Sequence, residues 1–129
     1  MVHVPRLPSI FRRRGTVAIE YAILLPVLLI FLLGIMDTGR LLWTYATLYR
    51  ACEAAARCAA IKAANCTTFG ATQSYAVTAA WGLNIDASTF TVSNPACGMQ
   101  VSVTYDFDFV FPWQSTTLTA TACYPLFVG

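Results

Sequence analysis

The chain has 129 residues, of which 57% are hydrophobic and only 11% are charged, with 8 Lys+Arg against 6 Asp+Glu. So apolar a composition excludes intrinsic disorder, which requires few apolar residues and much charge, and a net charge of +2 excludes a strongly basic nucleic-acid binder. The length suits a single folded body, so where the apolar residues lie decides between a large core and a membrane segment.

Half of the basic residues, Arg6, Arg12, Arg13 and Arg14, fall in the first fourteen positions, with no acid beside them. Without residues 1–15 the balance is 4 basic against 6 acidic, so the basic character belongs to a short leader. Residues 16–36 follow with one charge, Glu20. About 20 apolar residues in a helix cross a hydrocarbon core of roughly 30 Å, and a core helix of a small protein would show a polar face that this run lacks. The segment reads as a transmembrane helix, with its basic flank in the cytoplasm and the C-terminal body outside. A removable secretory signal fits poorly, because the run leaves through Gly34-Ile35-Met36-Asp37 without a small-x-small cleavage site.

A carboxylate inside such a run costs several kcal/mol unless it is paired or protonated, so Glu20 is either a functional residue or an interfacial one that snorkels to the headgroups beside Tyr21. The order Arg12-Arg13-Arg14-Gly15, Thr16-Val17-Ala18-Ile19-Glu20-Tyr21 and then an apolar stretch resembles the class III signal of type IV pilins and pseudopilins. The resemblance implies cleavage by a prepilin peptidase after Gly15, leaving Thr16 as the new N-terminus and Glu20 and Tyr21 as the fifth and sixth residues. It also gives Glu20 an assembly role, neutralising the α-amine of a neighbouring subunit. Further along stand Leu25-Pro26, Leu33-Gly34, Asp37, Gly39-Arg40 and Ala55-Ala56-Arg57-Cys58-Ala59-Ala60. With Glu20-Tyr21 this ordered set is similar to the TadE-like family of the tight-adherence (Tad, or Flp) pilus system. That likeness implies a minor pilin or pseudopilin of the bacterial inner membrane, with other pilins and Tad inner-membrane assembly proteins as partners. Major Flp pilins are almost all helix, and the substantial C-terminal body here departs from them.

Pro26 predicts a kink rather than an end, since a transmembrane helix can compensate the lost backbone bond. Beyond Asp37, Leu41, Tyr45, Leu48, Cys52, Ala55 and Ala59 recur at helical spacing. Arg40, Thr44, Thr47, Arg50 and Arg57 fall on other faces, and Glu53 with Arg57 suits an i,i+4 ion pair. Helix is expected from Val17 to Ala64, about 70 Å long. A loop over 65–70, a helix over Thr72–Trp81 ended by Gly82, and a short strand over Thr89–Ser93 follow. The clearest strand is Met99–Phe111, with Val101, Val103, Tyr105, Phe107 and Phe109 on one face. After a turn at Pro112–Ser115, Thr116–Cys123 is its partner. The fold class is α+β: a long transmembrane spine helix with a small antiparallel sheet. Its parts are a leader (1–15), a membrane helix (16–36), an amphipathic extension (37–64) and an extracytoplasmic body (65–129).

Five cysteines, Cys52, Cys58, Cys66, Cys97 and Cys123, lie outside the leader with no CxxC spacing, and His3 is the only histidine. That disfavours a zinc site, and an extracytoplasmic body favours disulfides. Cys52 is the expected free thiol on the helix seam, with Cys66 joined to Cys97 and Cys58 to Cys123. Without a histidine in the mature chain, Ser-His-Asp and Cys-His devices cannot be built, and no phosphate-binding glycine loop is present. Asp106 and Asp108 share a strand face and read as its wet side. Phe111, Pro112 and Trp113 form an aromatic end that is either a contact site or a tip packed on the core. The expected protein is a non-enzymatic pilus subunit without cofactor, metal, nucleic acid or small-molecule substrate. The alternative is a single-pass anchored binding module outside any pilus.

Overall fold

The structure, a computed structural model, describes residues 10–126, with side chains from residue 15 onward; residues 1–9 of the expected leader lie outside it. Helix α1 runs from Ile10 to Ala60 and passes through Pro26 without a break. It starts before the expected Val17 because Gly15 is the only weak helix former between the arginines and the apolar run, and one glycine costs a helix only about 1 kcal/mol. The chain divides into two units, one ending at Met36 and the other beginning at Asp37. In the first unit every side chain from residue 15 to residue 36 is exposed.

The second unit begins with the rest of α1. Its buried stripe is Asp37, Thr44, Leu48, Ala51, Cys52, Ala55, Ala56 and Ala59. The expected seam through Tyr45 is displaced by one residue: Thr44 is 4% exposed and Tyr45 is 46% exposed. Both positions fit the helical spacing between Leu41 and Leu48; the short threonine is the one enclosed, and the larger phenol stays exposed. The alanines of this half pack within the chain, against α2 and the sheet. Glu53 and Arg57 are both exposed, and among the described residues the ion pair is Arg40 with Asp37.

α1 ends at Ala60, short of the expected Ala64, and the disulfide explains why. Cys58 is bonded to Cys66 with a Cα–Cα distance of 5.8 Å, whereas eight helical residues would span about 12 Å. The chain therefore has to turn back. Lys62 takes φ 51, its amide donates to Ala59 O, and Ala63 N donates to Cys58 O, which is a Schellman cap. A 3-10 turn follows at Ala64–Cys66.

Helix α2 spans Phe69–Ala79, earlier than the expected Thr72–Trp81. Thr68 is its N-cap, with its hydroxyl accepting from Ala71 N, and so converts part of the expected loop into a first turn. Gln73 Nε2 donates to Phe90 O at 2.6 Å and ties α2 to the sheet.

Strands β1 (Phe90–Ser93), β2 (Met99–Asp108) and β3 (Ser115–Tyr124) form an antiparallel sheet in the order β1-β2-β3. Val101 pairs with Ala122, and Val103 with Ala120. The small partners leave room for Leu48 and Cys52 of α1 in the common core. Phe90, Val101 and Val103 are its largest strand residues, and Phe107 is also buried. The β2 alternation agrees with the face expected from the sequence. β2 nevertheless stops at Asp108 rather than Phe111: Phe109 N still donates to Gln114 O across the hairpin, but the amides of Val110 and Phe111 go to Asp37.

Candidate functional site

The processing and assembly residues read from the sequence all lie on α1. Gly15, Thr16, Glu20 and Tyr21 are exposed on its apolar part. A Cβ on Gly15 would meet nothing within 4 Å, so its helical packing does not require glycine. Glu20 has Ile19 and Ile23 as exposed apolar neighbours. The helix contains a window of mean hydropathy 2.5, none of which is buried within the chain. An exposed apolar surface of this extent needs a cover, and it is long and apolar enough to serve as a single-pass membrane anchor.

Asp37, the first residue after Met36, is where α1 grips the body. Its Oδ2 accepts hydrogen bonds from Val110 N and Phe111 N, both at 3.0 Å, and Arg40 Nη1 donates to Oδ1 at 3.1 Å. These amides belong to the turn beyond β2, so a carboxylate 73 residues away in sequence holds the β2–β3 connection. The Phe111 amide lowers the Asp37 pKa most, with the Val110 amide and Arg40 acting in the same direction against a desolvation that raises it. A depressed carboxylate stabilises the fold above the unfolded value of 3.8, and its contribution is lost as pH falls through the lower folded value. The sequence marked Asp37 as the acid that ends the apolar run and as one position of the ordered set that carries the resemblance, without a structural role. Its role was hidden because nothing local predicts a hydrogen-bond partner so far along the chain. The Arg40 guanidinium also lies 5.3 Å from the Phe107 ring centroid.

The four cysteines expected in disulfides are bonded, with partners exchanged. Cys58 joins Cys66, and Cys97 joins Cys123. The expected Cys66–Cys97 and Cys58–Cys123 bonds fail because the helix end and its following turn close on each other. The β2–β3 register then sets Cys123 opposite Gln100, beside the loop that carries Cys97. Cys52 is free and fully buried. Its thiol donates to Ala120 O at 3.7 Å, and burial pushes its pKa from 9.0 up to about 12. At pH 8 the native thiol should therefore resist iodoacetamide, and one thiol per chain should label after denaturation. Between pH 9 and 12 stability should fall, because the unfolded thiol ionises while the folded one stays protonated. Rapid labelling of the native protein would contradict this placement.

Asp106 and Asp108 are exposed on the outer face of β2, and Asp106 Oδ1 accepts from Thr117 Oγ1 across the strands at 2.9 Å. The aromatic end is not packed on the core: Trp113 is 82% exposed.

An exposed apolar helix leading into a small α+β body with an antiparallel sheet is a pilin-like arrangement. Residues 15–57 of this chain match the family model described as TadE-like protein, which takes in α1 from Gly15 through Arg57. No curated protein and no solved structure matches the chain.

Proposed function

We propose that this chain is a minor pilin- or pseudopilin-like subunit of a Tad pilus machine, with a structural or priming role in pilus assembly and adhesion. The observation that carries this reading is the TadE-like match over residues 15–57, on a helix whose exposed apolar run holds a single acid, Glu20. In this reading the arginine-rich leader stays in the cytoplasm and the body lies outside the inner membrane, where the two disulfides are stable. A prepilin peptidase removes residues 1–15. The α-amine of Thr16 then enters lipid and is neutralised by Glu20 of an adjacent subunit, because a buried charge is tolerated only when paired. The partners are the membrane, other pilins and the Tad inner-membrane assembly proteins, and the role requires no catalysis.

The test is complementation of a strain lacking this chain. Glu20→Ala should insert in the membrane at wild-type level yet reduce surface pili at least about tenfold, since breaking a buried pair costs several kcal/mol. Glu20→Asp should retain part of the function. Normal piliation with Glu20→Ala would remove the assembly role and favour an anchored binding module.

A further inference from the structure

The connection between β2 and β3 carries apolar side chains that the proposed function does not use. Val110 is 52% exposed and Phe111 37%. The Phe111 and Trp113 rings meet edge-on at 5.8 Å, so they cluster with each other rather than with the core. Trp113 also takes φ 54, a left-handed conformation that costs a bulky residue roughly 1–2 kcal/mol and that glycine adopts freely. Neither burial nor backbone conformation accounts for a tryptophan at this position.

Its location does. Val110 and Phe111 are hydrogen-bonded to Asp37, and Asp37 is bonded directly to Met36, the last residue of the uncharged run that starts at Tyr21. The chain from Val110 to Trp113 reaches at most about 11 Å. The polar layer on each side of a hydrocarbon core is about 5–7 Å thick, and tryptophan is enriched in that layer, where an apolar ring and one N–H donor are both accommodated. Arg40, one turn beyond Asp37 and half exposed at its side chain, adds a cation suited to lipid phosphate.

We propose that the β2–β3 tip is a membrane contact, in which Val110, Phe111 and Trp113 seat in the headgroup layer of the leaflet from which the anchor helix emerges. The occupant is the lipid surface. This inference rests on the anchor reading above.

The test reconstitutes the full chain into phosphatidylethanolamine/phosphatidylglycerol vesicles containing a phosphatidylcholine brominated near the top of its acyl chains. The chain has three tryptophans, Trp43, Trp81 and Trp113, so wild type is compared with Trp113→Phe, a change at an exposed position. The expected result is a lipid-quenched component of the wild-type emission that is lost in Trp113→Phe, while aqueous iodide quenches both proteins equally. Equal lipid quenching in the two proteins would overturn the proposal. So would a Trp113 component reached by iodide, or one shielded from both quenchers in proportion to protein density, which would mean a contact between copies. Alkaline carbonate extraction separates the two levels: release from the vesicles defeats the anchor reading itself, whereas retention without lipid quenching of Trp113 defeats only the tip contact.

Discussion

Gly98→Ala is expected to unfold the body or bring it close to unfolding. Gly98 takes φ 121, a region open to glycine and strained for any other residue. A Cβ there would overlap the Tyr124 carbonyl oxygen and lie 2.7 Å from Pro125 Cα. Both obstacles are backbone of the chain just at and beyond the end of β3, so no side-chain rotation relieves them. Backbone strain of about 1–3 kcal/mol and overpacking of similar size give a total of about 3–5 kcal/mol. Small domains have roughly 5–15 kcal/mol to lose, and the melting temperature should fall by about 15 °C or more. Gly70→Ala is the control. Gly70 lies in α2, where an added methyl group would meet nothing within 4 Å, so alanine there should raise stability by up to about 1 kcal/mol. Equal melting temperatures for the two variants would contradict the packing of the β1–β2 turn against the end of β3.

The second large effect concerns the disulfides. In the chain-entropy view a bond stabilises more when it closes a longer loop. Cys97–Cys123 has a sequence separation of 26 and Cys58–Cys66 one of 8. Replacing the first pair by alanines should cost about 3.5 kcal/mol and the second about 2.5 kcal/mol. Access differs in the same direction. Cys97 and Cys123 are exposed, whereas Cys58 and Cys66 are buried, so mild reductant should open the long loop first. Peptide mapping without reduction should recover these two pairs. Recovery of Cys66 with Cys97 would contradict the helix-end closure and with it the end of α1 at Ala60.

Elements with a local periodic signal were legible in the sequence. The apolar run, the alternation of β2 and the partner strand β3 all follow from patterns within a dozen residues. The free thiol at Cys52 followed from its place on the helical seam. Boundaries set by distant groups were not legible. Just beyond β2 the Asp37 carboxylate takes the amides of Val110 and Phe111, and α1 ends where a disulfide folds the chain back. Thr44 rather than Tyr45 enters the core because only side-chain volume, and not spacing, separates the two positions. The candidate site was legible in part. Gly15, Glu20 and Tyr21 stood out as departures from a plain anchor, while the link from Asp37 to the hairpin tip required the tertiary fold.

The role proposed for Glu20 depends on α1 being a processed, pilin-type membrane helix. The N-terminal sequence of the protein recovered from cells that contain a prepilin peptidase tests that dependence without intermediate steps. The expected mature chain begins at Thr16 and retains 114 of the 129 residues, and Gly15→Trp should leave the leader in place. A chain that still begins at Met1 beside an active peptidase, or that is cut at another position, would contradict a pilin-type helix.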